Sequence, residues 1–132
     1  MKTEDDLIKK FLNKNNIFAV VGVSRDKEKF GWKVYSDLKS KGYEVYAINP
    51  KAQLISETKC YPTIKDLPQL PDVVSFVVPA RITEEVLLEC KELGIEKVWM
   101  QPGSESEKAI DFCKDNQIDV LYDVCVMVEE VK

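Results

Sequence analysis

Four short segments, each placed directly after an apolar run, carry the residue types best suited to chemistry in this chain. They are Gly22-Val23-Ser24-Arg25, Asn49-Pro50-Lys51, Val78-Pro79-Ala80-Arg81 and Gln101-Pro102-Gly103. Arg25, Lys27, Lys29, Lys33 and Lys51 bring positive charge to the first two, and an arginine fork matches phosphate oxygens. The chemistry this predicts is anion recognition. The chain has no histidine, so no Ser-His-Asp or Cys-His arrangement forms and no phosphohistidine is available. Cys60, Cys90, Cys113 and Cys125 are far apart with no CxxC, which argues against zinc and suits a reducing cytosol. Glu84-Glu85, Glu105, Glu107 and Glu129-Glu130 sit in first helical turns or the tail, where dipole and solubility account for them.

The elements that must position these segments are read from periodicity. Thr3 caps a short helix with Glu4, Asp5 and Asp6 at its positive end, an apolar stripe through Leu12, and an end at Asn15-Asn16. Ile17 to Val23 is continuously apolar, as for a strand covered on both faces. A helix from Phe30 to Lys41 buries Trp32, Val34, Tyr35 and Leu38, and Gly42 offers a left-handed stop. Tyr43 to Ile48 forms the next strand. Lys59-Cys60-Tyr61 reads as a short edge strand, Thr63 to Leu67 as one helical turn, and Val73 to Val78 as a buried strand. Thr83 caps a helix to Leu93, with Gly94 as its stop. Lys97 to Gln101 is a strand, and Ser104-Glu105-Ser106-Glu107 a capping box. The helix it opens fades near Asn116 and Val120 to Asp123 is the last clear strand, while strand and helix both stay open for Val124 to Val131.

Strand and helix thus alternate with short links, which predicts one α/β domain over residues 1–132, a mostly parallel, doubly wound sheet with helices on both faces. At 132 residues the chain is long enough for a core without disulfides or metal. Its net charge of −4 disfavours nucleic acid. No signal peptide or membrane span is evident, so a soluble cytoplasmic protein without a membrane partner is expected, and self-association stays open. Trp32 and Trp99 lie inside apolar-periodic elements and read as core or interface rather than as base stackers.

In such sheets ligands bind beyond the carboxyl ends of the strands, where the order of strands reverses. An NAD site closes its second strand with Asp or Glu to hold the ribose diol. Here that place is held by Asn49, followed by Pro50 and Lys51. A cation there suits a phosphorylated ribose, which keeps NADP and coenzyme A as candidates. The spacing from Gly22 to Gly31 is wider than in a compact GxGxxG. Two readings of the intervening Arg25-Asp26-Lys27-Glu28-Lys29 stay open: a phosphate-facing loop, or a solvated one whose charges compensate each other. An NADP-linked enzyme would need a proton donor, for which Tyr35, Tyr122 or a lysine is available. A domain that binds a protein partner in place of any small ligand is a third reading.

The segments GVSRDKEKFGWKV, YAINPK, CYPTIKDLP, VVSFVVPA, VWMQPG and the closing DVC, taken in order, resemble the small stand-alone CoA-binding proteins. These are similar to the Rossmann-like N-terminal domain of the succinyl-CoA synthetase alpha subunit and of NDP-forming acyl-CoA synthetases. The resemblance extends from about residue 13 to 128. It implies that Gly22, Ser24 and Arg25, with Lys29 and Gly31, form a phosphate-facing turn. Asn49, Pro50 and Lys51 would flank the adenosine end, with Lys51 facing the ribose phosphate. Val78, Pro79 and Ala80 would give an apolar wall, and Gln101, Pro102 and Gly103 would line the groove towards pantetheine. A cysteine at the position of Cys125 also fits the resemblance and would approach a bound thiol; a small buried packing residue is the competing reading. Without histidine or a second domain, synthetase activity is not implied, and a non-catalytic module that binds CoA or acyl-CoA is expected.

Overall fold

The apolar run that begins at Ile17 becomes the centre of the molecule. In the computed structural model, which describes residues 3–51, 54–55 and 58–127, β1 (Ile17–Val21) pairs in parallel with β2 (Glu44–Ile48) on one side and β5 (Val73–Phe76) on the other. The remaining strands are β3 (Leu54–Ile55), β4 (Thr58–Tyr61), β6 (Lys97–Met100) and β7 (Asp119–Leu121). Their order across the sheet is β3-β4-β2-β1-β5-β6-β7. Only β3 runs antiparallel, against β4, so the expected edge strand at Lys59–Tyr61 has a two-residue neighbour outside it. The chain winds outward from β1 through β2 to β4, returns to β5, and winds the other way. The reversal lies between β1 and β5.

Both faces of the sheet are covered, as continuous apolar strands require. Phe18, Val20 and Trp99 pack on one face with α1 (Glu4–Phe11) and α2 (Phe30–Ser40) through Ile8, Phe11, Val34 and Leu38. Ala19, Val21 and Phe76 pack on the other with α3 (Ala80–Leu93) and α4 (Glu107–Asp115) through Leu87, Cys90 and Cys113. This is the expected three-layer, doubly wound arrangement. Thr3 caps α1 as expected, in a reciprocal pair with Asp6, and the Asn16 amide closes the other end by donating to the carbonyls of Lys10 and Phe11.

Two helix starts differ from the expected ones. α3 begins at Ala80, not at Thr83, because Pro79 already holds the extended cap conformation and its carbonyl accepts the Thr83 N–H. Thr83 is then inside the helix, fully buried, and its hydroxyl finds no partner among the described residues. α4 is capped by Ser106, whose hydroxyl accepts the Ala109 N–H. Ser104 is buried instead and accepts the N–H of Val78, tying the end of β6 to that of β5. After β7, residues 122–127 are neither strand nor helix, and the rest of the expected closing element, 128–131, lies outside the described residues.

The buried thiols make the fold sensitive to alkali. Burial pushes Cys113 up to about 12, and pushes Cys90 higher still, with the neighbouring Cys113 adding to the effect. Cys60 and Tyr43 are raised by burial as well. In the unfolded chain a thiol releases its proton near pH 9, while the native protein keeps it. Above that pH the unfolded state binds fewer protons, so stability is full below pH 9 and falls as pH rises towards the folded values. The slope is roughly 1.4 kcal/mol per pH unit for each such thiol. Denaturant titrations at about pH 8, 9 and 10 are expected to show this decline, and a Cys90→Ala/Cys113→Ala variant to show a shallower one. Equal slopes in the two proteins would assign the decline to other groups.

Candidate functional site

Gly22 and Gly31 explain how a wide loop still brings a helix start close to a strand end. Gly22 follows β1 with φ +106°, and a Cβ there would stand 2.3 Å from the carbonyl oxygen of Val77. A Cβ on Gly31, in the first turn of α2, would stand 2.1 Å from the carbonyl oxygen of Gly22. The two glycines therefore let three backbone segments touch at the point where the order of strands reverses. Residues 24–29 loop out above this contact. Ser24 Oγ accepts the Asp26 N–H, and Asp26 Oδ1 accepts the Glu28 N–H.

That use of Asp26 bears on the charge of the loop. Among the described residues no ion pair engages Arg25, Lys29, Lys33 or Lys51. The loop's cations are therefore not neutralised by its own acids. Lys27 lies over the Trp32 ring, 5.6 Å from its centroid. The positive charge of Arg25 lowers the Cys60 thiol against the larger effect of burial. A chain of net charge −4 thus carries a locally basic edge.

The end of β2 is braced to this loop. Asn49 donates through Nδ2 to the carbonyl of Val23 at 2.7 Å and accepts the Lys51 N–H through Oδ1 at 2.9 Å. Asn49 is thus a brace, and the exposed Lys51 side chain is left at the mouth of a cavity of about 330 Å3. The floor is Val21, Gly22 and Ile48; one wall is Pro62, Thr63 and Ile64 after β4; the other is Val78 and the α3 residues Ile82, Val86 and Glu89. Glu89 Oε1 accepts the Ile64 N–H at 2.9 Å and so fixes one wall to the other.

The helices that start at the reversal differ from the outer ones. α2 and α3, which follow the two strands at the reversal, start without a side-chain cap and without an acid in the first turn. α1 and α4 have both. Free N–H groups and an unopposed dipole therefore point to the reversal, which favours an anion.

The expected site residues divide into three groups. Gly22, Asn49, Pro50, Lys51 and Val78 line the cavity, while Ser24, Arg25, Lys29 and Gly31 belong to the loop and helix start above it. Pro79 and Ala80 open α3 and do not line the cavity. Gln101, Pro102 and Gly103 lie beyond β5, at the end of β6. The Gln101 side chain does not line a groove: it is fully buried, donates to Ser75 Oγ, and accepts the Val126 N–H. A strand-end glutamine with a polar neighbour in the core satisfies that neighbour first. Together with the Trp99 indole, which donates to the Val124 carbonyl, it holds the closing segment over the α1 and α2 side of the sheet edge. Cys125 in that segment is partly exposed. Tyr35 is buried and Tyr122 borders a separate depression with Glu4 and Leu7, so neither lines the cavity.

Pro62, Thr63, Ile64, Ile82, Val86 and Glu89 were not expected at the site. The spacing of 82, 86 and 89 places them on one stripe of a helix, a signal present in the sequence, though Ile82 falls before the helix start expected at Thr83.

This geometry has known counterparts. Residues 16–130 match the model of the CoA binding domain. The chain is 42% identical over 92 residues to the ADP-forming acetate–CoA ligase II of Archaeoglobus fulgidus, a match covering 68% of this chain and 14% of that protein. It is 35% identical over 89 residues to the alpha subunit of the corresponding Pyrococcus furiosus ligase, covering 67% of this chain and 19% of the subunit. The chain thus spans less than a fifth of the length of these relatives. The solved structure of a conserved hypothetical protein from Pyrococcus furiosus superposes with a TM-score of 0.82 at 38% identity, covering 87% of this chain and 99% of that one. Fold, motif order and sequence agree: the chain belongs to the CoA-binding domain family.

Proposed function

We propose that this edge of the sheet binds coenzyme A, or an acyl-CoA, through its phosphorylated ADP portion. The observation that carries the reading is the pairing of a largely apolar cavity with a cation, Lys51, that has no ion pair among the described residues, at the reversal of strand order. The cavity suits a base, the free N–H groups of α2 and α3 suit the diphosphate, and Lys51 suits the phosphate on the ribose. Arg25 and Lys29 stand above as further phosphate partners. Pantetheine would then run along the edge towards β6, past Pro79, Ala80, Pro102 and Gly103. Membership of a family whose relatives include acetate–CoA ligases points the same way.

The chain's own residues support binding rather than bond-making. It has no imidazole to carry a phosphoryl group, and the two ionisable side chains that line the cavity, Lys51 and Glu89, form no ion pair with each other among the described residues. The role we assign is a cytoplasmic, non-catalytic module that holds or presents the ligand. Thermal melts with CoA, acetyl-CoA and NADPH test this. Stabilisation of about 2.7 kcal/mol is expected when a CoA ligand is at a hundredfold its Kd. Stabilisation by NADPH alone would replace this reading with a redox one, and none by any of the three would leave a protein partner as the ligand.

A further inference from the structure

We propose that a second groove, between α3 and α4, receives the acyl group of an acyl-CoA, and that it takes straight alkyl chains of medium length. This inference rests on the CoA reading above. At about 3.6 residues per turn, Ile82, Val86 and Glu89 face one flank of α3, while Glu84, Leu87 and Leu88 face the opposite one. The first flank walls the cavity already described. The second, together with α4, encloses a separate groove of about 340 Å3. This groove is polar where the helices start and apolar below. Arg81 and Lys108, in the first turns of α3 and α4, stand at its upper end with Glu84. Lys108 lies 3.9 Å from one Glu84 oxygen, and the Ser106 hydroxyl donates to the other at 2.7 Å, which ties the two helix starts together. Arg81 takes no ion pair among the described residues. Further down, the buried Leu87 and Ala109 lie beneath Leu88 and Phe112. Leu88 is 62% exposed and, with Leu70, is one of two large apolar side chains left exposed among the described residues.

Pantetheine that leaves the first cavity past Pro79 and Ala80 crosses the start of α3. One helix diameter, about 10 Å, then separates it from the upper end of the groove. A thioester carbonyl arriving there meets Arg81 and Lys108, both donors. The chain beyond it meets hydrocarbon. An acyl group ending in a charge or a hydroxyl would find no partner among Leu87, Leu88, Ala109 and Phe112, which restricts the class to alkyl chains. With each methylene near a water's share of ~30 Å3, a chain of about eight carbons fills well over half of the groove.

Calorimetric titration of the full chain with acetyl-CoA and octanoyl-CoA tests this, in the wild type, in Leu88→Glu and in Leu70→Glu. Both leucines are exposed, so both variants are expected to fold. A methylene half covered by the groove strengthens binding roughly twofold, so the wild type is expected to bind octanoyl-CoA at least about tenfold more tightly than acetyl-CoA. Leu88→Glu puts a charge at the apolar end and should bring the two within about threefold. Leu70→Glu makes the same change in the link between β4 and β5, outside the groove, and should keep the wild-type ratio. Equal affinities in the wild type, a ratio that survives in Leu88→Glu, or one lost to the same degree in Leu70→Glu would overturn the acyl groove and leave CoA binding standing. No heat from either compound would overturn both.

Discussion

Gly31→Ala is expected to destabilise the protein by at least about 3 kcal/mol, the upper end of the usual overpacking range, and to weaken CoA binding with it. The new methyl would stand 2.1 Å from the Gly22 carbonyl oxygen, a backbone atom with no free direction of retreat. Gly22 is itself held between that contact and Val77, whose carbonyl oxygen is 2.3 Å from its own Cβ position. Relief requires α2 to lift from β1, which parts the helix N-terminus from the strand end where the phosphates are proposed to sit. Gly42→Ala is the matched control. Its φ of +94° disfavours alanine, but nothing lies within 4 Å of the added carbon, so a loss of about 1–2 kcal/mol with unchanged binding is expected. Denaturant unfolding and CoA titration of both variants measure the contrast. Similar losses in the two would mean that the helix start accommodates a side chain and that the close approach is not what shapes the site.

The same pair of glycines shows how far the site was legible in the sequence. Their contact replaces the compact glycine cluster of a dinucleotide fold, and the nine-residue spacing hid it, because sequence distance says nothing about a loop that leaves and returns. The central strands were easier. Ile17–Val21 is apolar at every position and Val73–Phe76 at every position but Ser75, because both faces are covered, and that pattern has few other causes in segments of this length. Helix starts misled where two residues offered the same chemistry: Thr83 looks like a cap until Pro79 is seen to have set the backbone four residues earlier. β3 has only two residues, too short for any periodicity to show. The wall at Pro62–Ile64 and the stripe of Ile82, Val86 and Glu89 come together only through tertiary packing. Each segment alone reads as an ordinary turn or an ordinary helix face. The burial of the Gln101 side chain was not legible for a related reason, since its partner Ser75 is a neighbour across strands and not along the chain.

Lys51→Glu should separate the ribose phosphate from the rest of the ligand. The Lys51 backbone is fixed by its N–H bond to Asn49 Oδ1, so the exposed side chain can change without disturbing the loop. Its ammonium has no acidic partner among the described residues, and a phosphate would meet an unspent charge. At about 4 Å and near the surface, a unit pair is worth on the order of 1–4 kcal/mol, and about 1.4 kcal/mol within that range is a tenfold change in affinity. The wild type is therefore expected to prefer CoA over dephospho-CoA by about tenfold. Glutamate replaces attraction by repulsion of similar size, so CoA should weaken by about a hundredfold while dephospho-CoA changes far less. The preference of the wild type should also shrink as salt rises, since the pair is exposed and screened, while the contribution of the apolar cavity should persist. Calorimetry of both ligands at low and high salt measures all of this in one series. Equal binding of CoA and dephospho-CoA by the wild type would detach Lys51 from the ribose phosphate, whereas parallel loss of both ligands in Lys51→Glu would place the lysine at the diphosphate instead.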